Sequence, residues 1–159
     1  MKFTRLFILG MFLLMILFTI SCKKNDKQVE SEFLTNAIDK AKIDSDTHCI
    51  VVLPGLGCHG CIQEGEAFMR DNIDNLNVFF ILTKNSSLKI LQQKIGIKVS
   101  EHSNIFIDRE NLFDIPTNNG IYPCIIFLKN GKIENHEFQC PQNNSAFGKL
   151  SKSLSNKKL

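Results

Sequence analysis

Two cysteines separated by two residues, Cys58 and Cys61, constrain the fold more than any other feature of this chain. The run before them, residues 47–53, is apolar and β-branched, as in a buried strand, and a Pro-Gly pair ends it. After them, apolar residues recur at helical spacing, at Ile62, Phe68, Met69 and Ile73. The cysteine pair is therefore predicted to lie at a strand-to-helix junction, with Cys58 at or just before the first helical turn.

A cysteine at this position can react as a thiolate. The first N–H groups of a helix have no partner within the helix, and the helix dipole is positive at this end, so a negative sulfur is stabilised there. A lowered pKa is what a thiol needs in order to attack a disulfide near neutral pH. The Cys-x-x-Cys spacing alone is only moderately specific, but the order strand, turn, cysteine pair, helix favours thiol–disulfide chemistry.

The rest of the chain predicts an α/β fold with a mixed central sheet flanked by helices. Strand-length apolar runs at residues 78–82 and 105–107 enclose a helical pattern that Ser87 can cap, and this alternation implies a parallel sheet core. An Asn-Gly pair between residues 125–128 and 133–138 then predicts an antiparallel hairpin. Amphipathic helices are predicted at both ends, one from Val29 to about residues 44–46 and one after residue 144.

Residues 1–21 are predicted to be a signal peptide rather than part of the domain. Lys2 and Arg5 form a basic start, residues 6–18 are almost uniformly apolar, and small residues precede Cys22. The apolar run is shorter than the ~20 residues that cross a bilayer as a helix. The segment resembles a bacterial lipoprotein signal, in which Cys22 would be lipidated and become the mature N-terminus. The alternatives are an uncleaved anchor and an ordinary secretory signal.

Export has consequences for charge and for cysteine chemistry. Cleavage would remove two basic residues and no acid, so that 19 basic against 16 acidic residues become 17 against 16, and nothing then indicates nucleic-acid binding. An exported protein enters an oxidising compartment, where disulfides persist, and this would explain why the 159-residue chain has six cysteines. Residues 22–28 are predicted to be a polar tether, and residues 29–159 a single domain.

The predicted order of elements, the cysteine pair and a proline directly before the hairpin, Pro123, resemble the thioredoxin fold over roughly Val29 to Leu154. The extra helix and strand between residues 82 and 108, and the run at residues 123–133, are similar to those of membrane-tethered thioredoxin-like proteins of the bacterial envelope, a branch that includes cytochrome c maturation reductases. The resemblance implies a monomeric, membrane-anchored thiol–disulfide oxidoreductase facing the periplasm. It would act on disulfides or dithiols of partner proteins without a cofactor.

The resemblance also implies roles for individual residues. Cys58 would be the exposed attacking thiol and Cys61 the buried resolving thiol. Pro123 would be a cis-proline that faces the disulfide and helps to hold the substrate. Its rival Pro116 is followed by Asn-Asn-Gly rather than by a strand. Glu64, about one helical turn after Cys61, would assist proton transfer, unless it is a solvated surface glutamate.

The chain also departs from the thioredoxin pattern. It has no tryptophan, and Val51 and Val52 stand where thioredoxin itself carries a buried acid. His59, between the two thiols, would stabilise the Cys58 thiolate if protonated and make the disulfide a stronger oxidant, unless its side chain simply points into solvent. The redox potential and the mode of partner recognition are therefore left open.

Three further cysteines lie in or beside the predicted strands. Cys49 is expected to be a buried, inert thiol. Cys124 follows the proposed cis-proline and is expected to lie close to the active site. A two-residue turn would pair Cys124 with Glu137, which places Cys140 near Cys124 but not opposite it, and a second disulfide is left open.

Two other functions compete with disulfide exchange. The first is a metal-binding lipoprotein, in which Cys58, Cys61 and either His59 or Cys124 would hold copper or zinc, since soft thiolates suit such ions. A structural tetrahedral site usually has a second Cys or His pair at regular spacing, and the sequence shows none. The second is a thioredoxin-fold module that only binds a partner. A thiol count before and after reduction, together with metal analysis, would discriminate among the three.

Overall fold

The structure is a computed structural model that describes residues 25–44 and 46–156. The predicted signal peptide and the predicted lipidation site Cys22 lie outside these residues. Within the described ranges, no helix is both long enough and apolar enough to span a membrane.

The described residues form four helices and five strands, in the alternating order that the hydrophobic patterns predict. In chain order these are α1 (Asp26–Ala41), β1 (Cys49–Pro54), α2 (His59–Asn72), β2 (Val78–Thr83), α3 (Leu88–Ile95), β3 (Ile105–Asp108), β4 (Cys124–Lys129), β5 (Lys132–Phe138) and α4 (Ala146–Asn156). Short 3₁₀ turns lie at Val99–Glu101 and Asn118–Ile121.

The five strands form one mixed sheet in the order β3-β2-β1-β4-β5. β1 pairs in parallel with β2, and β2 with β3, whereas β4 runs antiparallel to both β1 and β5. This confirms the predicted α/β class with a mixed sheet, and the arrangement is compatible with a thioredoxin-like fold. β1 is the central strand, so the residues that follow it emerge at the middle of the sheet edge.

Two apolar cores lie on opposite faces of the sheet. The first is formed with α2, α3 and α4, where the rings of Phe68 and Phe147 stack with their centroids 4.8 Å apart. The second is formed with α1 and includes Leu34 and Phe113. β1 contributes alternate side chains to both cores, so all six of its residues are buried, as expected for a central strand covered on both faces.

The first helix is displaced from its predicted position. Asn25 caps α1 with its side-chain oxygen, which accepts a hydrogen bond from the backbone N–H three residues further on at 2.8 Å, and the helix starts at Asp26. The last part of the predicted tether, residues 22–28, is therefore helical. The helix ends at Ala41, before residues 44–46, because the next residue adopts the left-handed conformation of a helix C-cap.

The β4–β5 hairpin has the predicted turn but a different register. Its Asn-Gly pair has positive φ at both positions, 52° and 71°. A β-bulge then shifts the register of β4 against β5 between the neighbouring β4 residues Phe127 and Leu128. Because the bulge adds one residue to β5, Cys124 pairs with Phe138, and the pairing with Glu137 predicted from the turn length is wrong.

Candidate functional site

The cysteine pair lies where the central strand β1 passes into α2. Cys58 is the N-cap residue of α2, as its position after the strand predicts. Its backbone N–H donates to the carbonyl oxygen of Ile121 at 2.9 Å, which fixes the start of the helix against the turn before β4. Gly57 has φ +148°, and a Cβ there would lie 2.2 Å from the Ile121 oxygen, so this close approach requires glycine.

Cys58 and Cys61 form a disulfide, with their Cα atoms 5.4 Å apart. Cys58 is half-buried, whereas Cys61, the third residue of α2, is only 8% exposed. The sulfur that a second protein can reach is therefore that of Cys58. This is the arrangement that an attacking and a resolving thiol require.

Pro123 lies beside α2, but its peptide bond is not cis as predicted. The described residues contain no cis peptide bond. Tyr122 reaches Pro123 in an extended conformation, with ψ 150°, which is the conformation favoured before proline, and the bond has the trans form that X–Pro bonds ordinarily prefer. A Cβ on Gly65 would lie 3.3 Å from the Pro123 ring, so the ring packs on α2 about one turn beyond Cys61.

Glu64 is exposed, but its carboxylate has a partner from the protein interior. The side-chain amide of Gln139, which is only 2% exposed, donates to Glu64 and also to the carbonyl of Asn144 at 2.9 Å. The Gln139 side-chain oxygen accepts from the N–H of Phe147 at 3.1 Å. Glu64 is thus held toward the end of β5, and sequence reasoning missed Gln139, which reads as one more polar residue after a strand.

His59 is the first residue of α2 and its side chain is exposed. Its exposure agrees with the alternative in which the side chain points into solvent. Two large apolar side chains near the disulfide are also exposed: Leu56 is 64% exposed and Ile121 is 46% exposed. Leu56 further lines an open cleft of about 640 Å³ at the carboxyl ends of β2 and β3. An apolar surface therefore borders the cysteine pair.

The strand cysteines are in a different environment. Cys49 and Cys124 are buried, Cys140 is half-buried, and none of the three is in a disulfide. Cys124 directly follows Pro123, but its side chain packs in the core formed with α1, across the sheet from α2. Burial raises the pKa of the Cys124 thiol far above its ordinary value, and the nearby charge of Glu30 adds to this effect. Cys124 is thus next to Pro123 in the chain, but the prediction that it lies close to the active site is wrong for its side chain, which lies on the other face of the sheet from α2.

Among residues 25–44 and 46–156, no three His, Cys, Asp or Glu side chains are grouped so that they could hold a metal ion. The pair Cys58 and Cys61 is brought together, with His59 at the surface beside it. Cys124, which the metal hypothesis offered as a further ligand, faces the other core.

Comparisons with protein-family models, with curated proteins and with solved structures give no significant match to this chain.

Proposed function

We propose that this protein is a thiol–disulfide oxidoreductase of the bacterial cell envelope that exchanges disulfides with partner proteins through Cys58 and Cys61. The observation that carries the proposal is the placement of the pair. One cysteine occupies the N-cap position of a helix and is partly exposed, and the other is buried three residues further on and is disulfide-bonded to the first. Helix N-termini favour the thiolate, which is the reactive form.

The exchange reaction runs through a mixed disulfide. In the reduced protein, the Cys58 thiolate attacks one sulfur of a partner disulfide, a new sulfur–sulfur bond forms, and the partner's second sulfur leaves as a thiolate that takes up a proton. Cys61 then loses its proton and attacks the Cys58 sulfur, which releases the partner as a dithiol. The partner gains two electrons, and Cys58 and Cys61 lose two. The reverse sequence oxidises a partner.

Glu64 and Pro123 have supporting roles in this proposal. Glu64 lies about one helical turn beyond Cys61 and accepts a hydrogen bond from the buried Gln139 amide. In this proposal its carboxylate accepts the proton that Cys61 must lose, directly or through water. Pro123 is buried against α2 beside Gly65, and in this proposal it supports the helix next to which a partner strand would lie. The exposed side chains of Leu56 and Ile121 offer apolar contacts to such a strand.

The decisive experiment is reduction of insulin disulfides by the chain from Lys23 onward, with dithiothreitol as the electron source. We expect Cys58→Ser to abolish turnover. Cys124→Ser is the matched control, because it removes a buried thiol from the same protein, and it should remain active in proportion to its folded fraction. Full activity in Cys58→Ser would eliminate the enzyme proposal, and a stoichiometric metal retained through purification would favour the metal-binding alternative.

The envelope location is proposed from residues 1–22 alone, and it is tested separately. In a bacterial host, Cys22→Ser should abolish incorporation of labelled fatty acid and release the protein from the membrane fraction. If the variant stays in the membrane, the apolar segment is an uncleaved anchor.

A further inference from the structure

A buried carboxylate lies behind the turn that faces the cysteine pair. Glu30 of α1 is 2% exposed, and its two oxygens accept three hydrogen bonds. Oε1 accepts from the Thr117 hydroxyl at 2.5 Å and from the Asn119 amide at 2.8 Å, and Oε2 accepts from Nε2 of His136 at 3.0 Å. The carboxylate therefore links three elements that are distant in sequence: α1, the turn at residues 117–121 and β5.

The surroundings of Glu30 favour its charged form. Burial by itself would raise the pKa of this carboxyl, but the hydrogen bonds from Thr117, His136 and Asn119 outweigh burial and lower it below its ordinary value. A buried carboxylate is tolerated only when its oxygens are satisfied in this way. The hydrogen bonds therefore hold the side chains of Thr117, Asn119 and His136 in place around the carboxylate.

Two of these donors belong to the turn that contacts Cys58. Thr117 caps the turn, because its side-chain oxygen accepts from the backbone N–H of Asn119 at 3.3 Å. The carbonyl of Asn119 in turn accepts from the N–H of Tyr122 at 3.0 Å. Ile121 lies between Asn119 and Tyr122 in the chain, and its carbonyl accepts a hydrogen bond from the backbone N–H of Cys58 at 2.9 Å. Glu30 therefore orders the segment on which the start of α2 rests.

We infer that Glu30 is a positioning residue for Cys58, and that it acts through the turn at residues 117–121. In the disulfide, the Cys58 side chain makes no capping hydrogen bond. When Cys58 is reduced, a thiolate at the N-cap is placed to accept from the N–H groups of Gly60 or Cys61, provided that the Cys58 backbone keeps its extended conformation. The Ile121 carbonyl maintains that conformation. The inference rests on the proposed function in treating Cys58 as the attacking thiol.

The test measures the alkylation rate of Cys58 in the reduced protein as a function of pH, by mass spectrometry of the Cys58 peptide. Glu30→Ala and Thr117→Val each remove contacts to the turn. We expect both to lower the rate at neutral pH several-fold, to displace the profile toward higher pH, and to make the reduction potential of the Cys58–Cys61 pair more negative. The reduction potential becomes more negative because the loss of thiolate stabilisation disfavours the reduced form.

Three control variants separate positioning from stability. Glu30→Gln keeps an oxygen for Thr117 and Asn119 and should largely restore the profile. His136→Leu removes a contact to Glu30 that does not involve the turn, so it should lower the unfolding midpoint and leave the profile near that of the wild type. Glu66→Ala removes another acid with little exposure, which is paired with Lys94 at 2.5 Å. This variant should likewise lower the unfolding midpoint and leave the Cys58 profile near that of the wild type.

An unchanged Cys58 profile in Thr117→Val would overturn the inference, and this variant also decides the matter if Glu30→Ala does not fold. Equal displacement in Glu66→Ala would overturn it as well, since lost stability would then explain the effect. Neither result bears on the proposed function, which depends on turnover in Cys58→Ser, because alkylation of Cys58 requires no partner protein.

Discussion

Cys58 and Cys124 are the same residue type in opposite surroundings. Cys58 is the N-cap residue of α2, where no side chain caps the first N–H groups of the helix, and it is partly exposed to solvent. Cys124 lies inside β4, where the backbone N–H groups belong to the sheet and the side chain is completely buried. Burial there raises the pKa of the thiol. We therefore expect the reactivity of each sulfur to depend on where the backbone places it.

Within the pair, the difference in exposure predicts a division of labour, and this gives the largest expected effect. Without a resolving thiol, a mixed disulfide formed by Cys58 cannot be released, so Cys61→Ala expressed in a bacterial envelope should accumulate covalent adducts that disappear with reductant. Cys58→Ala should form none. Non-reducing electrophoresis measures both. Adducts that form through Cys61 or Cys124 instead would show that the assignment is wrong.

Site-resolved alkylation compares the two environments directly. In the reduced native protein near neutral pH, iodoacetamide should modify Cys58 faster than Cys124 by orders of magnitude, because Cys124 is inaccessible and is held as a neutral thiol. In denaturant the two rates should converge, since both sulfurs then have the same solvent environment. Equal rates in the native protein would contradict the comparison.

A change at Gly57 should disturb the helix start without touching either sulfur. Gly57→Ala places a Cβ against the Ile121 carbonyl in a backbone conformation that side chains rarely adopt. We expect a loss of roughly 1–3 kcal/mol in the free energy of unfolding, together with slower alkylation of Cys58. Gly60→Ala is the control, because a Cβ there would meet nothing within 4 Å. Equal losses in the two variants would mean that the contact with Ile121 does not explain the effect.

The local patterns predicted the elements and the position of the cysteine pair, because each depends on residues close in sequence. The apolar run before Cys58 and the helical spacing after it are such signals, as is Ser87 at the start of α3. The β-bulge was not predictable from turn length, since it arises from the pairing of whole strands.

The polar contacts behind the site were not predictable either. Glu30 meets Thr117 and His136 across 87 and 106 positions of the chain, and each of these residues alone reads as an ordinary surface residue. The strand before the cysteines carries the apolar residues Val51 and Val52, and the buried acid Glu30 lies in α1 instead. Only the folded chain brings these side chains together.

The smallest predicted effect is an alkaline loss of stability caused by Cys124. Its pKa is raised in the folded protein above the ordinary value of 9.0, so the folded state binds more protons than the unfolded state once the pH exceeds that value. The stabilisation is fully present below pH 9.0 and is lost as the pH rises toward the folded pKa, by at most about 1.4 kcal/mol per pH unit for one proton. Cys124→Ala should be less stable at neutral pH, because it leaves a small cavity, but its stability should fall less steeply above pH 9.0. Cys140→Ala, which removes a half-buried thiol from the same protein, is the matched control. Urea unfolding at several pH values measures the slopes, and parallel curves for wild type and Cys124→Ala would show that the buried thiol does not contribute to the alkaline transition.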